Sequence, residues 1–302
     1  MSPLPQRLAA IDVGSNTILL LIAEHLQSTG LTAVLEAEDQ PRLGAGVSRT
    51  GQLNDHAIEQ ALQGLTRMRE LCRQHRVERI AAVATAAVRE AGNGEEFALK
   101  VRGMGIPLRI LSPKEEAALA YRSAAHYFPA DGRTLVADIG GGSLELVGAH
   151  DGRIELTESL PLGAVRLAEL SLPLGELRAR IGAQLGRVIS GPEWTGSRVI
   201  GSGGTFATLG SMLLAGRETS PGQRVHGAVV SRSELGALLT YLAGMSPDQR
   251  RSVPGLQPGR ADIIVPGLAV AAELLERIEA EGVTVSERGL RWGLLLELIE
   301  GA

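Results

Sequence analysis

Two stretches of this sequence share one chemistry-bearing pattern. Asp12-Val13-Gly14-Ser15-Asn16-Thr17 and Asp138-Ile139-Gly140-Gly141-Gly142-Ser143 both read D-x-G-x-x-[ST], lie 126 residues apart, and are each flanked by two apolar runs. Glycine lets backbone amides come close to an anion, and successive N–H groups in a turn form a concave nest for phosphate oxygens. The Ser and Thr hydroxyls add donors. An aspartate entering such a turn repels phosphate directly but holds Mg²⁺ through water. Two such turns facing each other would clamp adjacent phosphates with the metal between them. A third loop, Gly201-Ser202-Gly203-Gly204-Thr205, places further amides ahead of a helix N-terminus, where the dipole favours anions. Each loop alone reads equally as a plain turn; the three together predict a phosphate site.

The elements that must position these loops follow from periodicity. Residues 8–13 and 18–23 predict two strands joined as a hairpin by the first polar turn, and 31–37 a third strand. Asn54 caps a helix whose apolar positions, from Ala57 and Ile58 to Leu71 and Cys72, keep the 3.6 period. A strand is expected at 80–84, a helix from Glu95 and a strand at 108–111. Then comes a helix start with Ser112 as N-cap, Pro113 at the first position and Glu115 and Glu116 in the first turn. Residues 135–139 and 144–147 repeat the strand–turn–strand unit, 199–200 feed the third loop and its helix, and helices are expected at 232–244, 260–280 and 288–300. The matching halves predict a duplicated α/β architecture.

Composition narrows the function classes. The chain has 302 residues, 44% of them hydrophobic, enough for two domains with full cores. A net charge of −4 means that an anionic ligand must meet a local concentration of donors. Two Trp, three Tyr and three Phe are too few for base-stacking platforms, so no nucleic-acid partner is expected. Cys72 is the single cysteine, which excludes a disulfide framework and a zinc cluster and fits a core position in a reducing compartment. The longest apolar run, 18–23, is far too short to span a bilayer, and no leader pattern precedes it, so the expected location is the cytoplasm, with no membrane partner. The six histidines show no ligand spacing. Arg67, Arg69, Arg73, Arg76 and Arg79 read as a solvated face or as a track for a polyanion tail.

The runs IDVGSNT, ATAAVREAGNGEEF, SPKEEAALAY, DIGGGSLELV, SLPLGAVRL, GSGGTFATL, PGLQPGRADIIVPGLA and SERGLRWGLLLEL follow one another across nearly the whole chain. In these the sequence resembles the exopolyphosphatase / guanosine pentaphosphate phosphohydrolase family of the actin–Hsp70–sugar-kinase superfamily, in its short two-domain form. The resemblance implies two actin-like (ribonuclease H-like) α/β domains with the active site in the cleft between them. The expected domains are 1–125 and 126–302, with the final helix, 288–302, packing back on the first.

The resemblance also implies roles. Glu116, rather than Glu115, is the carboxylate that activates water. Asp138 and Glu145 are the acidic pair that holds Mg²⁺ and orients water, with Asp12 the first-turn metal aspartate. Gly14, Ser15, Asn16 and Thr17 form the first phosphate cradle, and Gly140, Gly141, Gly142 and Ser143 the second. Gly203 and Gly204 belong to the third loop, and Arg89 is a phosphate clamp. Where the family usually carries Arg, this sequence has Leu19, which removes or moves one phosphate contact. Without the resemblance, Glu115 and Glu116 read simply as acids favoured at a helix start, and Arg260 and Asp262 equally as an internal pair or a substrate contact. His226-Gly227 matches a family motif with no role to assign.

The expected activity is Mg²⁺-dependent removal of terminal phosphate from inorganic polyphosphate. The alternatives are the same chemistry on guanosine pentaphosphate (pppGpp), an ATP-dependent kinase of the same superfamily, and a phosphate-sensing regulator that binds without turnover. A homodimer is expected, with no residue assigned to its interface.

Overall fold

The computed structural model describes residues 5–28, 30–129, 131–216 and 224–301. Residues 1 and 302, the outer limits of the two expected domains, lie outside the described residues. The chain divides into one compact unit of residues 1–119 with 290–302 and a second of residues 120–289.

In the first unit, β1 (Gln6–Val13), β2 (Ile18–Leu26) and β3 (Gly30–Asp39) form an antiparallel meander, and β4 (Arg79–Ala84) and β5 (Leu108–Ile110) extend the sheet in parallel with β1, giving the order β3-β2-β1-β4-β5. Residues Leu8, Ala9, Ala10 and Ile11 of β1 are fully buried, as suits a central strand covered on both faces. After the short α1 (Val47–Thr50), α2 (Asp55–Gln74) connects β3 to β4. Asn54 caps it, its side chain accepting from the His56 and Ala57 amides, and its buried stripe of Ala57, Ile58, Ala61, Leu65, Met68 and Cys72 covers the sheet. Cys72 is 2% exposed, and burial pushes its thiol up to about 11. Arg67 and Arg73 on the opposite face are exposed and paired locally with Asp39 and Glu70. The short α3 (Ala86–Glu90) follows β4, α4 (Gly94–Gly103) leads to β5, and α5 (Pro113–Tyr127) follows β5. The division between the units falls inside α5, between Leu119 and Ala120.

The second unit repeats the plan. β6 (Arg133–Ile139), β7 (Leu144–His150) and β8 (Arg153–Leu160) form the meander, and β9 (Arg198–Ser202) runs parallel to β6. The helices α6 (Ala164–Ala168) and α7 (Leu174–Val188) lie between β8 and β9, and α8 (Gly203–Gly216) begins directly after β9. The expected third loop is therefore divided, with Gly201 and Ser202 ending the strand and Gly203 opening the helix. The edge strand β10 (Val229–Ser231) leads through α9 (Arg232–Ala243), α10 (Pro247–Arg250) and α11 (Ile264–Arg277) to β11 (Gly282–Val285), which pairs in parallel with β9. The order is β10-β11-β9-β6-β7-β8. Read from the other edge it matches the first sheet strand for strand, with β10 added. Even the irregularities coincide: the register slips between Ile22 and Ala23 in one meander and between Gly148 and Ala149 in the other, again 126 residues apart. Two such mixed sheets, each a meander extended by parallel strands, are the ribonuclease H-like arrangement of actin-like proteins. The last helix, α12 (Leu290–Glu300), belongs to the first unit and packs on β1, β2 and β4.

The strands expected at 8–13, 18–23, 31–37, 80–84, 135–139 and 144–147 are present. The helix expected at 260–280 is shorter, because Pro258-Gly259-Arg260 forms a separate 3₁₀ turn before α11. Among the described residues, no helix is long and apolar enough to cross a membrane.

Candidate active site

Both signature turns close in the same way. Gly14 N–H donates to Thr17 O at 3.0 Å, and Gly140 N–H to Ser143 O at 3.0 Å, so each four-residue turn joins its strands in one register, Val13 opposite Ile18 and Ile139 opposite Leu144. The carbonyls of each turn are drawn to one side by later segments. Ser15 O accepts from Gly44 N–H at 2.7 Å and Asn16 O from Arg42 N–H at 3.2 Å. Gly140 O accepts from Ala164 N–H at 2.9 Å, and Gly141 O from Val165 and Arg166 N–H at 2.9 and 3.1 Å. A trans peptide points its N–H opposite to its C=O. The turn amides that follow these carbonyls therefore face the other way, and those of Ser15, Asn16, Thr17, Gly141, Gly142 and Ser143 donate to no protein acceptor among the described residues. That is the geometry of an anion nest. Gly163 is required for this approach, since a Cβ there would collide with the backbone of Gly141 and Gly142.

In the first unit, Ser15, Asn16 and Thr17 are buried, and both polar atoms of the Asn16 side chain are buried with no hydrogen-bond partner. Burying an amide unsatisfied is costly, which makes this side chain a candidate ligand contact of the first turn. Asp12 lies one residue before the end of β1, with Leu19 opposite it on β2 and Val83 beside it on β4.

Arg89 and Glu116 come from the helices that follow β4 and β5, strands whose carboxyl ends sit beside that of β1. Arg89 Nη1 donates to Glu116 Oε2 at 2.7 Å and to Leu111 O at 2.9 Å, and both side chains are largely buried. The neighbouring acid is placed differently. Glu115 is exposed and closes the start of α5, accepting from Ser112 N–H and Oγ–H at 2.8 and 2.6 Å while Ser112 Oγ accepts from Glu115 N–H. Those bonds hold the Glu115 carboxyl below its usual range. One acid caps the helix; the other is presented with an arginine.

In the second unit, Asp138 and Glu145 lie directly opposite each other on β6 and β7, with Ser202 beside Asp138 on β9. Ser202 Oγ donates to Asp138 Oδ2 at 2.7 Å and Ser159 Oγ to Glu145 Oε1 at 2.9 Å. Asp138 keeps some exposure, yet the packing around its carboxyl raises its pKa, an effect the Ser202 bond partly offsets. Glu145 is 2% exposed. Gly203 sits at φ +86°, where a Cβ would stand 2.5 Å from Asp138 Oδ1, so the third loop lies against this aspartate. The Arg260 guanidinium occupies the space above Gly204. Thus Asp138, Glu145, the second turn and Gly203 are brought together in one unit, and Asp12, the first turn, Arg89 and Glu116 stand at the carboxyl ends of adjacent strands in the other.

Sequence reasoning assigned no role to Ser159, on a strand not foreseen, nor to Ser202, Gly163 or Arg166, although all four lie in quoted runs. Among the described residues, no group of three or more His, Cys, Asp or Glu side chains is placed to hold a metal ion. A carboxylate pair instead suits Mg²⁺, which keeps several waters and takes one or two carboxylates plus substrate phosphates.

Two sheets of one plan, each carrying a D-x-G-x-x-[ST] turn, define a duplicated ribonuclease H-like protein of the actin-like class. Residues 21–301 match the Ppx/GppA phosphatase family, and the chain belongs to that family. It is 34% identical to the protein named exopolyphosphatase 2 from Mycobacterium tuberculosis, covering 97% of this chain and 98% of that one. The crystal structure of the Aquifex aeolicus member of the Ppx/GppA family, 30% identical, superposes with a TM-score of 0.80 over 98% of both chains. An exopolyphosphatase structure from Cytophaga hutchinsonii, 24% identical, shares the fold with a TM-score of 0.90 over 98% of this chain and 99% of that one.

Proposed function

We propose that this chain is an exopolyphosphatase that hydrolyses the terminal phosphoanhydride of inorganic polyphosphate. The observation that carries the reading is the pair of identically closed turns whose amides donate to no protein acceptor among the described residues, with the buried, unpartnered side-chain amide of Asn16 in the first. Phosphate oxygens are the acceptors that such amides match. The family membership and the near full-length relatives named exopolyphosphatase support it.

Glu116 is the general base. It accepts the proton of a water as that water adds to the terminal phosphorus; the bridging P–O bond breaks, orthophosphate departs and the shortened chain keeps the bridging oxygen. Arg89 aims the Glu116 carboxylate through the direct bond from its Nη1 to Oε2. The nests formed by residues 14–17 and 140–143 and by Gly203 and Gly204 bind phosphate oxygens and stabilise the charge that develops on them. Asp138 and Glu145 are the residues that would hold Mg²⁺, with Asp12 the first unit's candidate. A bound Mg²⁺ supplies charge neutralisation at the phosphate oxygens. Ser202 and Ser159 orient the two carboxylates. Work in the cytoplasm and assembly as a homodimer belong to the same proposal, and light scattering reads the second.

The test is phosphate release from polyphosphate, guanosine pentaphosphate and ATP side by side, with and without Mg²⁺. Fast, Mg²⁺-dependent release from polyphosphate is the expected result. Faster release from guanosine pentaphosphate would reassign the substrate, consumption of ATP only with an acceptor would make the chain a kinase, and binding without release would make it a sensor.

A further inference from the structure

The second turn is more demanding to hold than the first. Residues 140–142 are three consecutive glycines, each with wide backbone freedom, whereas the first turn carries Cβ atoms at Ser15 and Asn16 that restrict it. In the first turn the carbonyl before Thr17, that of Asn16, is held by a backbone amide, Arg42 N–H. At the equivalent place in the second turn no backbone amide arrives. The Gly142 carbonyl is held instead by a side chain, Arg166 Nε–H at 2.8 Å. Arg166 is half-buried on α6, whose backbone amides already hold the other two glycine carbonyls.

We propose that Arg166 is a positioning residue of the second phosphate nest: by fixing the Gly142 carbonyl it turns the Ser143 N–H toward the bound phosphate. The chain of cause is short. No cis peptide is found among the described residues, so the Gly142–Ser143 unit is trans and planar, and the direction of its N–H is set by the direction of its C=O. Released from Arg166, the Gly142 carbonyl has no other holder in the turn, and the peptide rotates at glycine with little steric resistance. Ser143 N–H is then lost as a donor. Arg166 acts through the Nε–H bond and not through its positive charge. This inference rests on the reading of residues 140–143 as a phosphate nest.

Two near-isosteric replacements separate the alternatives. In Arg166→Gln the amide nitrogen stands at the place of Arg Nε and keeps the donor without the charge. In Arg166→Met the terminal methyl takes that place with neither. Binding of inorganic pyrophosphate, measured by calorimetry, should weaken no more than about threefold in Arg166→Gln and about tenfold or more in Arg166→Met, the loss of one bond to a charged group. Turnover of tripolyphosphate should follow the same order, with kcat about 10²-fold lower in the Met variant, as for loss of one preorganised donor. Thermal melts accompany each variant, and Arg166→Ala serves as a second donor-free variant should Arg166→Met not fold. Equal pyrophosphate binding by the Gln and donor-free variants overturns the proposal: both near the parent leaves a packing role, both equally weak leaves a charge role, and no binding by any form removes the nest. Phosphate release by the parent reads the hydrolase separately; without it the proposed function fails, while a Gln–Met difference in pyrophosphate binding still upholds Arg166.

Discussion

The same three-residue row, laid across the middle of each sheet, carries different chemistry in the two units. In the second it reads Glu145–Asp138–Ser202 across β7, β6 and β9; in the first, at the same registers, it reads Leu19–Asp12–Val83 across β2, β1 and β4. One row holds two carboxylates and a hydroxyl that orients one of them, the other a single carboxylate between apolar side chains. The turns beside the rows share one closing bond, Gly14 N–H to Thr17 O and Gly140 N–H to Ser143 O, so backbone shape is kept where side-chain content has diverged. The closed turn comes from the hairpin geometry and exists twice. The carboxylate pair depends on side chains and exists once, while the first unit contributes its acid from α5 instead. A residue that departs from the family pattern, Leu19, stands where the second unit has Glu145.

The sharpest way to break this division of labour is at the base. Glu116→Gln keeps shape and the bond from Arg89 but accepts no proton, so kcat should fall about 10²–10⁴-fold while KM holds within about threefold, the signature of an interaction made in the transition state. Glu115→Gln, whose partner is the helix start, should stay within about tenfold of the parent. If the two trade places in steady-state kinetics, the base is the capping residue and the reading of burial here is wrong.

The carboxylate row comes next. Asp138→Asn should raise the Mg²⁺ concentration for half activity by about tenfold or more, since one ligand charge is lost, whereas Asp12→Asn should shift it less. The same Asp138→Asn change should raise the melting temperature in metal-free buffer. Burial raises the pKa of this group, so the native state binds its proton more tightly than the unfolded chain does. At neutral pH the native state therefore carries a desolvated charge that Asn removes. Equal metal shifts for Asp12 and Asp138 would erase the distinction between the rows.

Writing the second row into the first is a milder test. Leu19→Glu places a carboxylate opposite Asp12, and like charges directly opposite on neighbouring strands destabilise. A loss of about 1 kcal/mol is expected in denaturant melts, with the metal dependence unchanged. A strong new metal requirement would show that the row alone makes the metal site.

The smallest effect concerns His226, tilted on Phe128 with ring centroids 5.1 Å apart. Burial, aided by the charge of Arg288, pushes its pKa below the ordinary 6.5. The unfolded chain therefore binds the proton better, and this contribution to stability is present above pH 6.5 and lost as the pH falls through the depressed native value. His226→Gln should flatten that limb of the stability–pH curve; an unchanged limb would assign it to other groups.

How much of this was legible in the sequence depended on whether a feature is local. The two turns were, because D-x-G-x-x-[ST] between apolar strands is complete within a dozen residues. The holders of their carbonyls were not: they arrive from 42–44 and 164–166, and nothing local marks Arg42 or Arg166 as partners of a turn. β8 escaped notice because an edge strand bearing Arg153, Glu155, Thr157, Glu158 and Ser159 has half its residues in solvent, and Ser159 was lost with it. α7 escaped because its buried stripe is only Leu177, Ile181 and Leu185 among glycines and arginines. The choice of Glu116 over Glu115 came from the family pattern, since two adjacent acids at a helix start look alike in sequence; only burial and the Arg89 partner separate them.

The lone thiol of α2 has a practical consequence. Cys72 is the single cysteine of the chain, sits against the first sheet, and has its thiolate suppressed at neutral pH. Maleimide dyes therefore pass it over in the native protein. A cysteine introduced on an exposed residue would be the one labelled site, with no background sulfur to delete first. The chain is thus ready for conversion into a fluorescent reporter of binding.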